Sequence, residues 1–338
     1  MTHQAFFDAL KAGSVARVYL FYGEEEHVKR SALKRLRERI LTPGLEQINE
    51  TILDNPAADA VIAACETLPM MDARRLVVVR DSALLTSGRA RDEAAEAERL
   101  ATYVRRSPET TCLVFYCAGG IDKRKKLAQA LSKGAEVVQF SPLDDVELAR
   151  WIRATCKGYG KAISPQTAQY LSFTSGRDLT LLLREIEKLA SYAQGRDEIT
   201  QQDVDAVATR TAECTVFSMV DAILAGKEAQ AFALLAHLLQ SGEARIGILA
   251  LIQRQYRQMM HVRLMQEGKV PTGEQMKRLG VPGFVFNRLQ GQARAYDAQG
   301  LMRCVRLCEE TDYAIKSGRM REDAALERAM LRLCAREV

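Results

Sequence analysis

The chain has 338 residues and a net charge of +5, with 47% hydrophobic residues, 27% charged residues, 21 Gly and 8 Pro. At roughly 150 residues per domain that length predicts two or three domains, and the composition excludes a disordered or fibrous chain. No apolar run reaches the roughly 20 residues of a membrane span, and Met1-Thr2-His3-Gln4 lacks the basic stretch and apolar core of a secretory signal, so a cytoplasmic location without membrane contact is expected.

The first 140 residues alternate short apolar runs with helical periods. Val18 to Tyr22, closed by Gly23, fits a buried strand. A helix follows in which Val28, Ala32, Leu33, Leu36 and Ile40 share a stripe and Lys29, Arg30, Lys34, Arg35 and Arg39 cover the remaining surface, until Pro43-Gly44 stops it. The alternation continues with a strand at Ile48 to Leu53, a helix at Ala57 to Thr67, a strand at Leu76 to Val79 and a charged helix at Asp92 to Arg105. Next come a strand at Cys112 to Tyr116, a helix at about Lys123 to Leu131 and a strand at Glu136 to Phe140. Continuous apolar strands in βαβ order predict a doubly wound parallel sheet with helices on both faces.

Past Ser141-Pro142 the strand signals fade. Asp144 to Cys156, Ser164 to Phe173, Asp178 to Tyr192 and Thr200 to Thr209 predict a small helical domain. Val216 to Leu224, Glu228 to Gln240, Ala244 to Gln266, Pro282 to Arg294, Gly300 to Lys316 and Glu322 to Cys334 predict a second one. The expected division is 1–140, 141–210 and 211–338.

The charge is unevenly spread. From Arg245 onward 17 Lys+Arg face 10 Asp+Glu, a surplus of +7, whereas the rest holds 31 basic and 33 acidic residues. A basic C-terminal end fits either nucleic acid or an acidic protein partner. The eight cysteines show no CxxC pair and no histidines at zinc spacing, which predicts reduced, buried thiols.

Catalytic and nucleotide motifs are missing from the sequence. The turn after the first strand, Gly23-Glu24-Glu25-Glu26-His27, supplies carboxylates where a phosphate loop needs backbone amides, Lys and Ser/Thr. Neither GxxxxGK[ST] nor GxGxxG occurs, nor does GxSxG or HExxH. Asp81, after the third strand, lacks a partner acid and is expected to be a strand-end cap. Gly158-Tyr159-Gly160-Lys161 lies between helices and is expected to be a helix stop. His237, among Leu234, Leu235, Leu238 and Leu239, is expected to be a satisfied core or edge histidine.

One segment stands apart. In Glu66 to Arg75, Pro69 biases Leu68 out of helical geometry, so the helix should end there and Met70-Met71 should sit on the turn before the third strand. Spacing alone favours packing both methionines inward. Presented outward, they would form a soft, adaptable plug. Burying both against a partner contributes about 3–6 kcal/mol, whereas micromolar binding needs about 8 kcal/mol, so neighbours such as Leu68 and Arg74 would have to help.

Several segments, in order and across the whole length, carry a resemblance. They are VYLFYGEE at Val18, TLPMMDARRLVVV at Thr67, IDKRKKL at Ile121, Ser141-Pro142-Leu143 with Trp151-Ile152, GRDLTLLLREIEKL at Gly176, ITQQDV at Ile199, VFSMVDAI at Val216 and Lys316-Ser317-Gly318. On these the chain resembles the delta subunit of bacterial DNA polymerase III, a clamp loader component. The resemblance implies an AAA+-like N-terminal domain without a working phosphate loop, a helical lid, and a helical collar that assembles with the ATPase subunits and delta-prime. It implies no cofactor and no intrinsic catalysis, within a DNA-directed DNA polymerase (nucleotidyltransferase) holoenzyme. The family's clamp-binding element falls on the turn before the third strand, which places Leu68, Pro69, Met70, Met71 and Arg74 against the sliding clamp (beta subunit). Met-Met departs from the bulkier residues common there. Lys316, Arg319 and Arg321 are expected to contact DNA or neighbouring subunits, with primed DNA met through the assembled complex. Two other readings stay open: a DNA-binding scaffold, and a nucleotide-dependent remodeller with an atypical phosphate site around Gly23.

Overall fold

A computed structural model describes residues 1–86 and 93–336. They form two compact units, Met1–Leu143 and Asp144–Val338.

In the first unit the elements run α1 (His3–Lys11), β1 (Val18–Tyr22), α2 (Glu26–Ile40), α3 (Glu46–Asn49), β2 (Glu50–Asp54) and α4 (Ala58–Glu66). There follow β3 (Arg75–Arg80), α5 (Glu93–Val104), β4 (Thr111–Tyr116), α6 (Lys126–Gly134) and β5 (Glu136–Gln139). The five strands make one parallel sheet in the order β2-β3-β4-β1-β5. The first strand is thus inserted between the fourth and the fifth, with crossovers as the doubly wound reading expects.

Every residue of β1 and β4 is buried because both faces of the sheet are covered. Val18, Leu20, Val77, Val79, Leu113 and Phe115 pack with Val61, Leu100, Leu127 and Leu131 of the helices on one face. Tyr19 and Phe21 point the other way and meet Phe6 of α1 edge to face. The edge strand β2 is only partly covered.

The sequence and the structure differ in specific places here. The first helix, α1, is capped by the Thr2 side chain and buries only Phe6 and Leu10, too few apolar positions to show as a period. Ile48 and Asn49 belong to a helical turn and not to the following strand, which begins at Glu50. A Gly44 turn with positive φ, whose N–H is held by Glu46 Oε2, starts that helical turn. Lys29, assigned to the surface of α2, is fully buried. The expected helix start at Asp92 lies outside the described residues, and the helix is seen from Glu93 to Val104.

The second unit contains α7 (Asp145–Gly158), β6 (Ala162–Ile163), α8 (Pro165–Ser175), α9 (Leu179–Tyr192), β7 (Glu198–Ile199), α10 (Gln201–Val207) and α11 (Ala212–Leu224). It continues with α12 (Glu228–Gln240), α13 (Arg245–Glu267), α14 (Thr272–Leu279), α15 (Gly283–Ala293), α16 (Ala298–Lys316) and α17 (Glu322–Cys334). Its helix starts follow side-chain chemistry: Asp144 and Thr200 form capping boxes with Glu147 and Asp203, and Ser164 and Asp178 cap α8 and α9. Helices α11 to α17 share a core that includes Phe217, Ile252, Tyr256, Phe286, Leu301 and Leu326.

Two features of this unit were not anticipated. β6 and β7 form a two-residue parallel pair, too short to leave a period. The eight-residue α14, between Pro271 and a left-handed Gly280, has one buried residue and so little apolar signal. Of the core and edge placements expected for His237, the core one does not hold, because the residue lies on the exposed face of α12. The Gly158 stop is as expected, and Lys161 Nζ donates to the carbonyl of Ala193 beyond the end of α9. No helix among the described residues is long and apolar enough to cross a membrane.

Candidate functional site

The sheet of the first unit has two ends with opposite character. At the carboxyl end, β1 runs into Gly23, whose φ is 125°, and a Cβ there would lie 2.2 Å from the Phe140 carbonyl oxygen. The turn therefore requires glycine and lies directly against the chain leaving β5. Lys29, one turn into α2, sends its ammonium group back into the protein. Nζ donates to the carbonyls of Gly23 (2.8 Å) and Cys117 (2.7 Å) and lies 3.0 Å from Glu26 Oε2. Tyr116 donates to Glu26 Oε1 at 2.6 Å, and Arg30 approaches the same oxygen at 2.9 Å.

Burial on its own would raise the Glu26 carboxyl, but hydrogen bonds from Tyr116, Lys29 and Arg30 outweigh it and hold the group below its ordinary value. The Lys29 ammonium is thus committed to the protein's own carbonyls. Asp81 accepts from the Ala118 N–H at 2.8 Å, which joins the ends of β3 and β4 as a cap would. Among the described residues no three His, Cys, Asp or Glu gather as a metal site would need.

The amino end is built the other way round. α4 stops at Glu66, and residues 67–74 run irregularly into β3. Their side chains turn outward: Leu68 is 74% exposed, Met70 60% and Met71 89%. This overturns the inward packing that spacing favours. Pro69 is partly covered between them. Met71 has a φ of 66°, a left-handed conformation that costs an L-residue about 1–2 kcal/mol.

Beneath this apolar crown the backbone is fastened by buried polar groups. Asn49 is fully buried, and its Oδ1 accepts the Met70 N–H at 2.8 Å while its Nδ2 donates to the Met70 carbonyl at 2.8 Å and to Asp72 Oδ2 at 2.7 Å. Asp72 Oδ1 accepts from Thr42, from Oγ1 at 2.7 Å and from N–H at 3.1 Å. The Thr42 hydroxyl bond first, with Asn49 and the Thr42 amide added, holds the Asp72 carboxyl below its ordinary value despite some desolvation. Arg75, also buried, donates to the Thr67 carbonyl at 3.2 Å and to Thr51 Oγ1 at 2.8 Å.

Arg74 flanks the crown but does not point out of it. Its Nη1 donates to the Val15 carbonyl at 2.9 Å, and the side chain is half-buried beside Gly13, Arg39 and Ile40. The sequence carries no local signal for Asn49, because it abuts the apolar strand run and its partners lie 21 and 23 residues away.

Lys316, Arg319 and Arg321 come together at the corner between α16 and α17, and all three are exposed. Each has a local partner: Lys316 pairs with Asp312 at 2.8 Å, Arg321 with Asp323 at 2.6 Å, and Arg319 lies 5.2 Å from the ring centre of Tyr313. Other C-terminal arginines are similarly paired, including Arg254 with Glu213 and Arg288 with Asp221, so part of the basic surplus is neutralised where it stands.

Comparison with known proteins gives a consistent set of relatives. A family model described as the DNA polymerase III delta subunit matches residues 19–141, and one described as its C-terminal domain matches 213–333. A third, described as a middle domain, matches 145–206. The chain is 27% identical over 332 residues to the DNA polymerase III subunit delta of Bacillus subtilis, covering 97% of this chain and 96% of that one. It is 22% identical over 306 residues to the Escherichia coli subunit delta, covering 87% and 86%. Among solved structures, the Bacillus subtilis DNA clamp loader delta protein is similar with a TM-score of 0.58 and 26% identity, covering 98% of this chain and 99% of that one.

Proposed function

This chain belongs to the delta-subunit family of bacterial DNA polymerase III, and from that premise we propose that it is the non-catalytic clamp loader subunit that binds the sliding clamp and opens it. The observation that carries this reading is the crown of Leu68, Met70 and Met71, exposed on a backbone that buried Asn49 and Arg75 hold in place. Exposed apolar side chains on an irregular turn contribute nothing to their own fold. A methionine kept at positive φ, where glycine would fit without strain, indicates that its side chain is in use.

In this mechanism the clamp loader's ATPase subunits, with delta-prime, control access to the crown, the crown docks on the clamp, and the open ring passes onto primed DNA. The subunit supplies differential affinity for the open clamp and makes or breaks no bond. The inward commitment of Lys29 and the crowded Gly23 turn support a subunit that leaves nucleotide to its partners. We assign 1–140 to the AAA+-like domain, 141–210 to the lid and 211–338 to the collar. Lys316, Arg319 and Arg321 then face DNA or neighbouring subunits, and the protein acts in the cytoplasm.

The test is the affinity of the full chain for the sliding clamp of the same organism. Met70→Ala with Met71→Ala should lower it by about two to four powers of ten, from roughly 1.5–3 kcal/mol per buried methionine. Wild-type affinity in that variant would remove the crown from the interface. Calorimetry with ATP and magnesium should show no micromolar binding, and a clear isotherm would favour the nucleotide-dependent remodeller.

A further inference from the structure

We infer that Asn49 is the positioning residue of the clamp-binding turn: it sets the affinity for the clamp without touching it, by holding the Met70 backbone so that the crown is formed before the partner arrives. The inference rests on the clamp-binding reading above and adds a residue that neither the family motif nor the exposed surface contains.

The geometry is specific to an asparagine. One side-chain amide grips both the N–H and the carbonyl of a single residue, Met70, as a paired strand would, and spends its remaining donor on Asp72. The donors and acceptors fit only one way round, since flipping the amide would set a donor against the Met70 N–H and an acceptor against the Met70 carbonyl. Aspartate could accept but not donate, and would bring a second negative charge to Asp72. Leucine could do neither.

The carrier is braced as well. Asn49 closes α3, and the next residue, Glu50, is held by Arg37 of α2 through Nε at 2.9 Å to both carboxylate oxygens and Nη2 at 2.6 Å. Asp72 ties the far side of the turn to Thr42. Residues 70 to 72 are therefore fixed from α3 and the loop before it, with α2 bracing the residue after Asn49, while Leu68, Met70 and Met71 keep their side chains in solvent. A loose turn would have to be ordered on binding, and that lost freedom would be subtracted from the affinity.

The experiment is a double-mutant cycle on clamp affinity, using the full chain as wild type, Asn49→Ala, the Met70→Ala Met71→Ala pair, and all three together. Asn49→Ala should weaken binding by about tenfold or more, and should cause no further loss once the methionines are gone. Hydrogen exchange should speed up at the Met70 amide while β1, β3 and β4 stay protected. Asp72→Asn, which cuts one strand of the network from the partly exposed side, should weaken binding in the same direction by less, and covers the case in which Asn49→Ala does not fold. Wild-type affinity in Asn49→Ala beside a weakened methionine pair would overturn this inference alone, as would an Asn49 effect that adds in full to the methionine effect. An unweakened methionine pair would instead overturn the clamp-binding reading on which it rests.

Discussion

The two ends of the N-terminal sheet use the same ingredients in opposite ways. At the carboxyl end a charged side chain, Lys29, is drawn inside and consumed by backbone carbonyls. At the amino end the polar groups are also inside, on Asn49, Asp72 and Arg75, but they hold a backbone whose apolar side chains are pushed out. Doubly wound folds ordinarily bind ligands beyond the carboxyl ends of their strands. Here that end is closed by the protein's own groups, and the exposed apolar side chains lie at the other. The contrast teaches that buried polar networks do two separable jobs: one draws a charged group inside, the other holds a backbone so that its apolar side chains stay outside.

The contrast predicts that substitutions at the carboxyl end cost stability and those at the amino end cost binding. The largest effect is expected from Lys29→Ala, which leaves two buried carbonyls without their donor and Glu26 with Arg30 as its remaining cation, and should lower unfolding free energy by about 3–5 kcal/mol in urea titrations. Gly23→Ala comes next, at about 2–4 kcal/mol, because a Cβ at this φ meets the Phe140 backbone and neither side can yield cheaply. If both variants were as stable as the wild type, the closed end would not be the structural anchor described above.

Acid sharpens the same point. Because the folded-state value of Glu26 lies below its unfolded value near 4.3, its contribution is complete above that pH and is lost as pH falls through the depressed value. Glu26→Gln should destabilise by about 1 kcal/mol at neutral pH, a figure discounted because the carboxylate is about a third exposed. Its deficit relative to wild type should shrink below pH 4 in denaturation curves measured across that range.

At the amino end, Met71→Ala should leave stability within about 0.5 kcal/mol of wild type while weakening the clamp complex. Met71→Gly should be more stable than Met71→Ala by about 1 kcal/mol, because only glycine occupies a φ of 66° without strain. Equal stability of the two would mean that the left-handed turn is not held in solution. The smallest effect is expected from Arg30→Ala, whose guanidinium shares Glu26 with Lys29 but is 77% exposed; its thermal midpoint should not move measurably.

Much of the architecture was legible in the sequence. β1, β3 and β4 are continuous apolar runs, and Ser164, Asp178 and Thr200 cap helices as their residue types suggest. The missing parts were those whose meaning lies in distant partners. Lys29 resembles any surface lysine on α2 until Cys117, 88 residues on, supplies a carbonyl. Asn49 resembles a strand residue until Met70 and Asp72 close around it. A helical stripe sorts side chains by hydrophobicity and so cannot reveal an ammonium group satisfied by carbonyls of other elements. The exposure of Met70 and Met71 ran against periodicity for a related reason: apolar character says that a side chain will be buried, but not that its own chain will do the burying.

All eight cysteines are free and buried. Burial pushes the thiols of Cys65, Cys112, Cys117 and Cys308 up to about 12 and those of Cys156 and Cys304 up to about 11, and raises Cys214 and Cys334 as well. A Met71→Cys variant would carry an exposed thiol with an ordinary value near 8.5. The native thiols should therefore react slowly with thiol reagents, and a cysteine placed in the crown should be labelled first. A single fluorophore attached there would report directly whether the crown becomes covered when a sliding clamp is added, without first removing any native cysteine.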